Sequence, residues 1–166
     1  MLICPADPDD AAPIAAIYAH HVLHGTASFD TEPPDADYWR TKIVDIIDRG
    51  WPFLVVKVNG AVSGYAYATQ FRDRPAYAET CENSIYIAPL YSGRGLGSAL
   101  MAALLPAAAN AGFRQMIAVV GGGEPASVAL HEKFGFTIAG RMRNVGRKFG
   151  RLLDTVYLQR ALDDRA

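Results

Sequence analysis

The sequence predicts a mixed α/β fold in which strands and helices alternate around one sheet. Three observations carry this. Phe53-Leu54-Val55-Val56-Lys57-Val58 is an apolar run of strand length, and the Asn59-Gly60 pair that follows is a strong two-residue hairpin signal. Leu96, Leu100 and Leu104 repeat at helical spacing just after a glycine-rich turn. Strand-like segments then return at Gln115 to Val120, Thr137 to Gly146 and Leu152 to Leu162. The 166 residues fit one domain covering the whole chain, and no repeat or low-complexity linker divides it.

Met1 to Cys4 reads as a short first strand. Asp10 is the expected N-cap of the first helix, with Pro13 in its first turn and Gly25 at its end. Ile14, Ile17, Tyr18 and Val22 share its apolar face. Residues 26–34 read as a loop. A second helix begins near Asp35, sets Trp39, Ile43, Ile46 and Ile47 on one face, and stops at Gly50. Val62 to Thr69 returns from the hairpin with Tyr65 and Tyr67 on one face. The loop Phe71 to Ala78 leads to a strand from Cys81 to Ile87, which Pro89 limits. In the Leu96 helix, Pro106 is expected to remove one hydrogen bond and to kink or shorten the helix near Ala102. Gly121-Gly122-Gly123 is a flexible connection, Pro125 opens the last helix and Gly135 caps it.

Composition narrows the function. Half of the residues are hydrophobic (51%) and a fifth charged (20%), an ordinary globular balance. A net charge of -1 supplies no basic field for nucleic acid or anionic lipid, so an anionic ligand has to be held by local groups. No apolar run has the length of a membrane span, and MLICPADPDD lacks the pattern of a secretory signal. Cys4 and Cys81 have neither disulfide-framework nor zinc-site spacing, so a reducing cytoplasm is expected. His20 and His24 share a helical face at i, i+4, but no carboxylate or cysteine completes a site in sequence. They read as histidines near a helix C-terminus, and no metal is expected.

The segment with most chemistry runs from Ser84 to Ser98: a strand, a turn with Gly93, Gly95 and Gly97, then a helix N-terminus. Glycines let backbone N–H groups converge, the helix dipole adds positive potential, and Arg94 adds a full charge. That is a cradle for a pyrophosphate, although a plain strand-to-helix turn has the same outline. There is no GK[ST] of a P-loop, and Leu100 stands where a dinucleotide fingerprint needs glycine.

Arg94-Gly95-Leu96-Gly97 after Ile85-Tyr86-Ile87 resembles motif A of the GNAT superfamily of N-acetyltransferases. Ser127-Val128-Ala129-Leu130-His131-Glu132-Lys133-Phe134-Gly135-Phe136 resembles its motif B. The His-Glu form of motif B, with Ser28-Phe29 and Glu32-Pro33, resembles the phosphinothricin and methionine-sulfoximine acetyltransferase branch. The resemblance implies a twisted, mostly antiparallel sheet of about seven strands flanked by about four helices. It also implies that the fourth and fifth strands splay apart to admit acetyl-CoA. Ile85, Tyr86 and Ile87 would then contact the pantetheine and acetyl group, and Gly93, Arg94, Gly95, Leu96, Gly97 and Ser98 would wrap the pyrophosphate. The N–H of Ile87 would polarise the thioester carbonyl. Glu124, Ser127 and His131 would line the second cofactor-side helix. The family often has Gln or Arg at the position of Ser92, and usually Asn at that of Glu124. Glutamate is a poorer N-cap than Asn, and Glu124 is expected to swing into solvent.

An acceptor ammonium must lose a proton before it attacks a thioester, and the resemblance implies that Glu82, three residues before Ile85, is the general base; a solvated strand glutamate is the other reading. Glu79 beside the loop is a weaker candidate. His131 is expected in the cleft, at the thioester or protonating the departing thiolate; a satisfied core histidine is the other reading. Arg72 and Arg74 offer charge-assisted bonds to an acceptor carboxylate, and the same residues also fit a solvated surface loop. Phe29 and Tyr77 would be apolar walls and Glu32 part of the acceptor site, with Lys148, Phe149 and Asp154 completing it. The resemblance further implies a homodimer. The sequence thus points to acetyl transfer from acetyl-CoA to the amine of a small amino-acid-like acceptor. A protein or polyamine acetyltransferase, or a non-catalytic acyl-CoA-binding module, is the alternative.

Overall fold

Asn59 and Gly60 both take positive φ, 51° and 82°. This turn suits the right-handed twist of paired strands and joins β2 (Phe53–Val58) to β3 (Ala61–Gln70). β1 (Leu2–Pro5) pairs with the outer side of β2, and β4 (Thr80–Ile87) pairs antiparallel with β3. After the crossover helix, β5 (Gln115–Gly121) joins β4 in parallel. The final hairpin, β6 (Thr137–Lys148) and β7 (Arg151–Ala161), adds β7 beside β5 and leaves β6 at the edge. The result is one seven-stranded sheet in the order β1-β2-β3-β4-β5-β7-β6. The computed structural model describes residues 1–162.

Each face of the sheet has its own core. α1 (Ala11–His24) and α2 (Ala36–Asp48) cover one face, where Ile14, Ile17, Trp39 and Ile43 bury against Phe53, Tyr65 and Tyr67. α3 (Leu96–Asn110) covers the other, with Leu100, Met101 and Leu104 against Ala66, Cys81 and Met116. α4 (Pro125–Lys133) lies on the same side as α3, and Leu130 and Phe134 pack against that core. Tyr65 and Tyr67 do share the α1/α2 face.

Three local expectations are corrected. Asp10 stands at the N-cap position of α1 as expected, but its side chain makes no cap bond there. Asp7 caps a single 3-10 turn at Pro8–Asp10 by accepting from the Asp9 N–H at 2.8 Å. The Asp10 carboxylate turns back to accept from the Asp7 N–H at 3.0 Å and to pair with Lys57 at 2.8 Å. In α2, Asp35 caps as expected, accepting from the Tyr38 N–H at 2.9 Å, but Ile47 is 40% exposed. Adjacent helical positions point about 100° apart, so Ile46 takes the core and Ile47 is turned out. Finally, Pro106 does not shorten α3, which runs on to Asn110. Both Pro106 and Ala102 are exposed, so water can serve the carbonyl that the proline leaves without a partner.

Candidate active site

β4 and β5 are paired only from Thr80↔Gln115 to Asn83↔Ala118. Beyond that both strands continue, β4 to Ile87 and β5 to Gly121, but not with each other. The direction of the orphaned backbone follows from the ladder. The Ala88 N–H donates to Ser63 O and the Phe71 N–H to Thr80 O, both 2.9 Å, so even-numbered residues of β4 bond towards β3. Odd-numbered residues therefore turn N–H and C=O towards β5. At Ile85 and Ile87 the neighbour strand is gone, and those groups face the opening. His21 Nε2–H on α1 donates to the Ile87 carbonyl at 2.8 Å. Burial holds the His21 pKa below its ordinary value, which keeps this imidazole neutral.

A cavity of about 310 Å³ passes through the gap. Tyr18, Tyr67, Glu82, Ser84 and Tyr86 line it on the α1/α2 face, and Asn83, Ile85, Ser127 and His131 on the α4 face. Alternation along β4 puts Glu82 and Asn83 on opposite faces. Burial pushes the Glu82 pKa up, with Arg72 and then Lys42 opposing the rise. Ile85 is in the cavity wall and Ile87 is not.

His131 lies on the cavity wall but is 2% exposed. Nδ1–H donates to the Ser127 carbonyl, 2.7 Å, one turn back, so Nε2 carries a lone pair. That lone pair accepts from the Asn83 amide, 3.0 Å. Burial lowers the His131 pKa. In the neutral ring the one proton is then engaged with the Ser127 carbonyl. The arrangement is that of a satisfied buried histidine which fixes Asn83 at the floor of the gap.

At the mouth, Gly93 and Gly95 hold φ of 73° and 82°, conformations that L side chains rarely adopt, and α3 starts with no side-chain cap. Its first N–H groups are thus open to an anion. Arg94 is exposed and lies over the Tyr91 ring, 5.4 Å to the centroid. Lys133, which sequence reasoning passed over, crosses from α4 and donates to Ser98 Oγ at 3.2 Å, placing a second cation at the first turn of α3. Glu124 does not swing into solvent. It is half-buried and accepts a short hydrogen bond from the Thr26 hydroxyl, which ties α4 to the α1–α2 loop.

That loop is a strap across the end of β5. Lys148 is 5% exposed and donates to Ser28 O at 2.7 Å; Tyr18 OH bonds Ser28 Oγ at 2.7 Å and Asp30 at 2.6 Å. The Phe29 ring lies on Gly146, where a Cβ would stand 2.3 Å from its Cε2. Phe29, Glu82, Ser127 and His131 are thus brought together around the cavity. Glu32, Arg72, Arg74 and Tyr77 are exposed and not on its wall, although Arg72 is close enough to act on Glu82. Phe149 is exposed, and Asp154 pairs with Arg141 at 3.3 Å. Glu79 is exposed and pairs with Arg114 at 3.8 Å. Asn83 and Tyr18 were missed as cavity residues. Strand alternation could have flagged Asn83, whereas the Tyr18 contacts with Ser28 and Asp30 depend on how the strap folds back. The His20 and His24 rings lie 4.9 Å apart, and no group of three metal-ligating side chains occurs among the described residues.

Residues 3–157 match the model of the acetyltransferase (GNAT) domain family. The chain belongs to that family. It is 47% identical to a phosphinothricin N-acetyltransferase of Alcaligenes faecalis, over 93% of this chain and 79% of the relative. It is 37% identical to the L-amino acid N-acyltransferase MnaT of Escherichia coli, over 94% of this chain and 91% of that one. A GNAT phosphinothricin acetyltransferase from Sinorhizobium meliloti, solved in complex with AcCoA, superposes with a TM-score of 0.95 at 41% identity, covering 98% of this chain and 89% of its own. The GNAT fold expected from the sequence is therefore the one found, a mixed sheet with helices on both faces and parted central strands.

Proposed function

We propose that this GNAT chain is an N-acetyltransferase that moves an acetyl group from acetyl-CoA to the amine of a small amino-acid-like acceptor. The observation that carries the reading is the parting of β4 from β5 after Asn83↔Ala118, which leaves the Ile85 and Ile87 amides without a strand partner, with Ile85 and Glu82 both on the cavity wall. The residues present fit the cofactor. Around Gly93 and Gly95 no atom lies within 4 Å of where a Cβ would be, so there is room for phosphate oxygens at the uncapped start of α3. Gly93, Arg94, Gly95, Leu96, Gly97 and Ser98 would hold the pyrophosphate, with Lys133 adding charge. Ile85, Tyr86 and Ile87 would hold the pantetheine arm. Bound acetyl-CoA supplies an activated thioester.

The chain's own residues supply the rest. Glu82 accepts the proton of the acceptor ammonium, and its raised pKa brings it nearer to neutral pH, where a base is most effective. The Ile87 N–H, or that of Ile85 on the cavity wall, is the donor to a carbonyl oxygen that gains charge. His131 positions Asn83 rather than giving up a proton. Arg72 is the loop arginine that can reach an acceptor bound at Glu82; Arg74, Tyr77 and Glu32 are further acceptor-side candidates, and Phe29 walls the cavity. The amino-acid acceptor is supported by relatives named for phosphinothricin, L-methionine sulfoximine or sulfone, and L-amino acids. A homodimer is supported by apolar side chains left exposed on the β6–β7 hairpin, including Met142, Val145 and Leu152. A cytoplasmic setting is supported by the free thiols Cys4 and Cys81.

The test is release of free CoA thiol with acetyl-CoA and a panel of amino acids, their decarboxylated amines, polyamines and peptides. Turnover confined to amino acids and their close analogues is expected. Absence of turnover with every amine, while acetyl-CoA binds, would leave the non-catalytic reading standing.

A further inference from the structure

The α1/α2 face beside the general base holds a cation that the reaction so far leaves unused. Glu82 pairs in register with Thr69, and Ser84 with Tyr67, so these four side chains share one face of the sheet. Lys42 of α2 stands over them. Its Nζ is 4.7 Å from the centroid of the Tyr67 ring, 5.1 Å from that of Trp39 and 5.6 Å from that of Tyr38. Lys42 and Thr69 line a second hollow, and Tyr67 and Glu82, on the same sheet face, line the cavity. The ammonium is half-buried, and no carboxylate among the described residues lies within 4.0 Å of it. Burial works against its charge, but the neighbouring Tyr67 and Tyr38 outweigh burial and hold its pKa up. A partly desolvated cation in an aromatic setting is held as a charge without being neutralised.

We propose that Lys42 is the specificity-determining residue that receives the carboxylate of an amino-acid acceptor. This rests on the acetyl-transfer reading and deepens it. An α-amino acid presents its ammonium and its carboxylate two bonds apart on one carbon. A site for it needs an anion and a cation close together but not spent on each other. Glu82 and Lys42 meet that need: Glu82 lies beside Thr69 in register, Lys42 lines one hollow with Thr69, and the two form no ion pair with each other. Arg72 and Arg74 answer the requirement less well, because both are exposed and Arg72 lies along the Phe71 ring at 4.5 Å. Trp39 and Tyr67, set edge to face, flank the Lys42 ammonium on the sheet face that carries Glu82. An acceptor without a carboxylate leaves Lys42 with no anion and binds without that charge-assisted bond.

The experiment compares kcat/KM for L-methionine sulfone with that for its decarboxylated amine, at saturating acetyl-CoA, in the wild type and in Lys42→Met and Lys42→Gln. Methionine keeps an unbranched apolar stem against the rings. The wild type is expected to prefer the amino acid, and each variant to reduce the ratio by about 10- to 100-fold, chiefly through the KM for the amino acid. Calorimetric binding of L-methionine sulfone to the enzyme with CoA should weaken in parallel. Arg72→Ala is expected to change the ratio by less than either Lys42 variant. A folded Lys42→Met or Lys42→Gln protein with an unchanged ratio overturns the assignment, as does a larger loss of preference in Arg72→Ala. Failure of the acetyl-transfer reading itself looks different, because the wild type would then release no thiol with any acceptor.

Discussion

Glu82, the proposed general base, has surroundings that give two opposed expectations. Glu82→Gln should lower kcat by about 10²–10⁴-fold with little effect on acetyl-CoA affinity. The acid limb of the wild-type kcat/KM profile should fall off above the ordinary carboxylate range, since the pKa is raised, and should vanish in the variant. Stability should move the other way. A carboxyl whose folded pKa is above its unfolded one favours folding below the unfolded value, and this contribution is lost as pH rises through the folded one. Thermal unfolding of Glu82→Gln should therefore match or exceed the wild type at neutral pH, and the gap should close in acid. At this scale the sequence was half legible. The place of Glu82 on the cavity wall was legible through the motif resemblance, since position alone fits a solvated strand glutamate as well. The state of His131 could not, because it depends on a carbonyl one turn back and on the amide of Asn83 from another element.

Among the elements, the glycine turn into α3 should behave as an anion site built largely from backbone. Arg94→Glu removes one attraction and adds one repulsion next to a pyrophosphate, so acetyl-CoA affinity measured by calorimetry should fall by about 10- to 100-fold. α2 depends on its Asp35 cap, and Asp35→Ala should cost about 1 kcal/mol in chemical denaturation. Signals confined to a few consecutive residues were legible in advance, as at Asn59-Gly60, Asp35, Gly25 and the start of α3. Two of the misreadings share a cause. Asp10 was drawn away by Lys57 of a strand 47 positions later in the sequence. Glu124 was drawn to Thr26, 98 residues earlier. Local pattern reading weighs a residue against its neighbours in sequence, and these two found better partners through the tertiary fold.

For the molecule as a whole, the exposed apolar side chains of β6 and β7 point to self-association. Light scattering at assay concentration should report a dimer, and Val145→Glu with Met142→Glu should shift it towards monomer. The parting of β4 from β5 has a wider consequence. A sheet that stops short in its middle is an unfinished ladder, and the arm that enters it takes the place of a missing strand. Occupancy should therefore be written into the exchange rates of individual amides. Without ligand, the Ile85 and Ile87 N–H groups should trade protons for deuterons far faster than those of Ser84 and Tyr86, which bond to β3. Acetyl-CoA should slow that pair selectively and join the two halves of the sheet into one cooperative unit, with a melting temperature that climbs with ligand concentration.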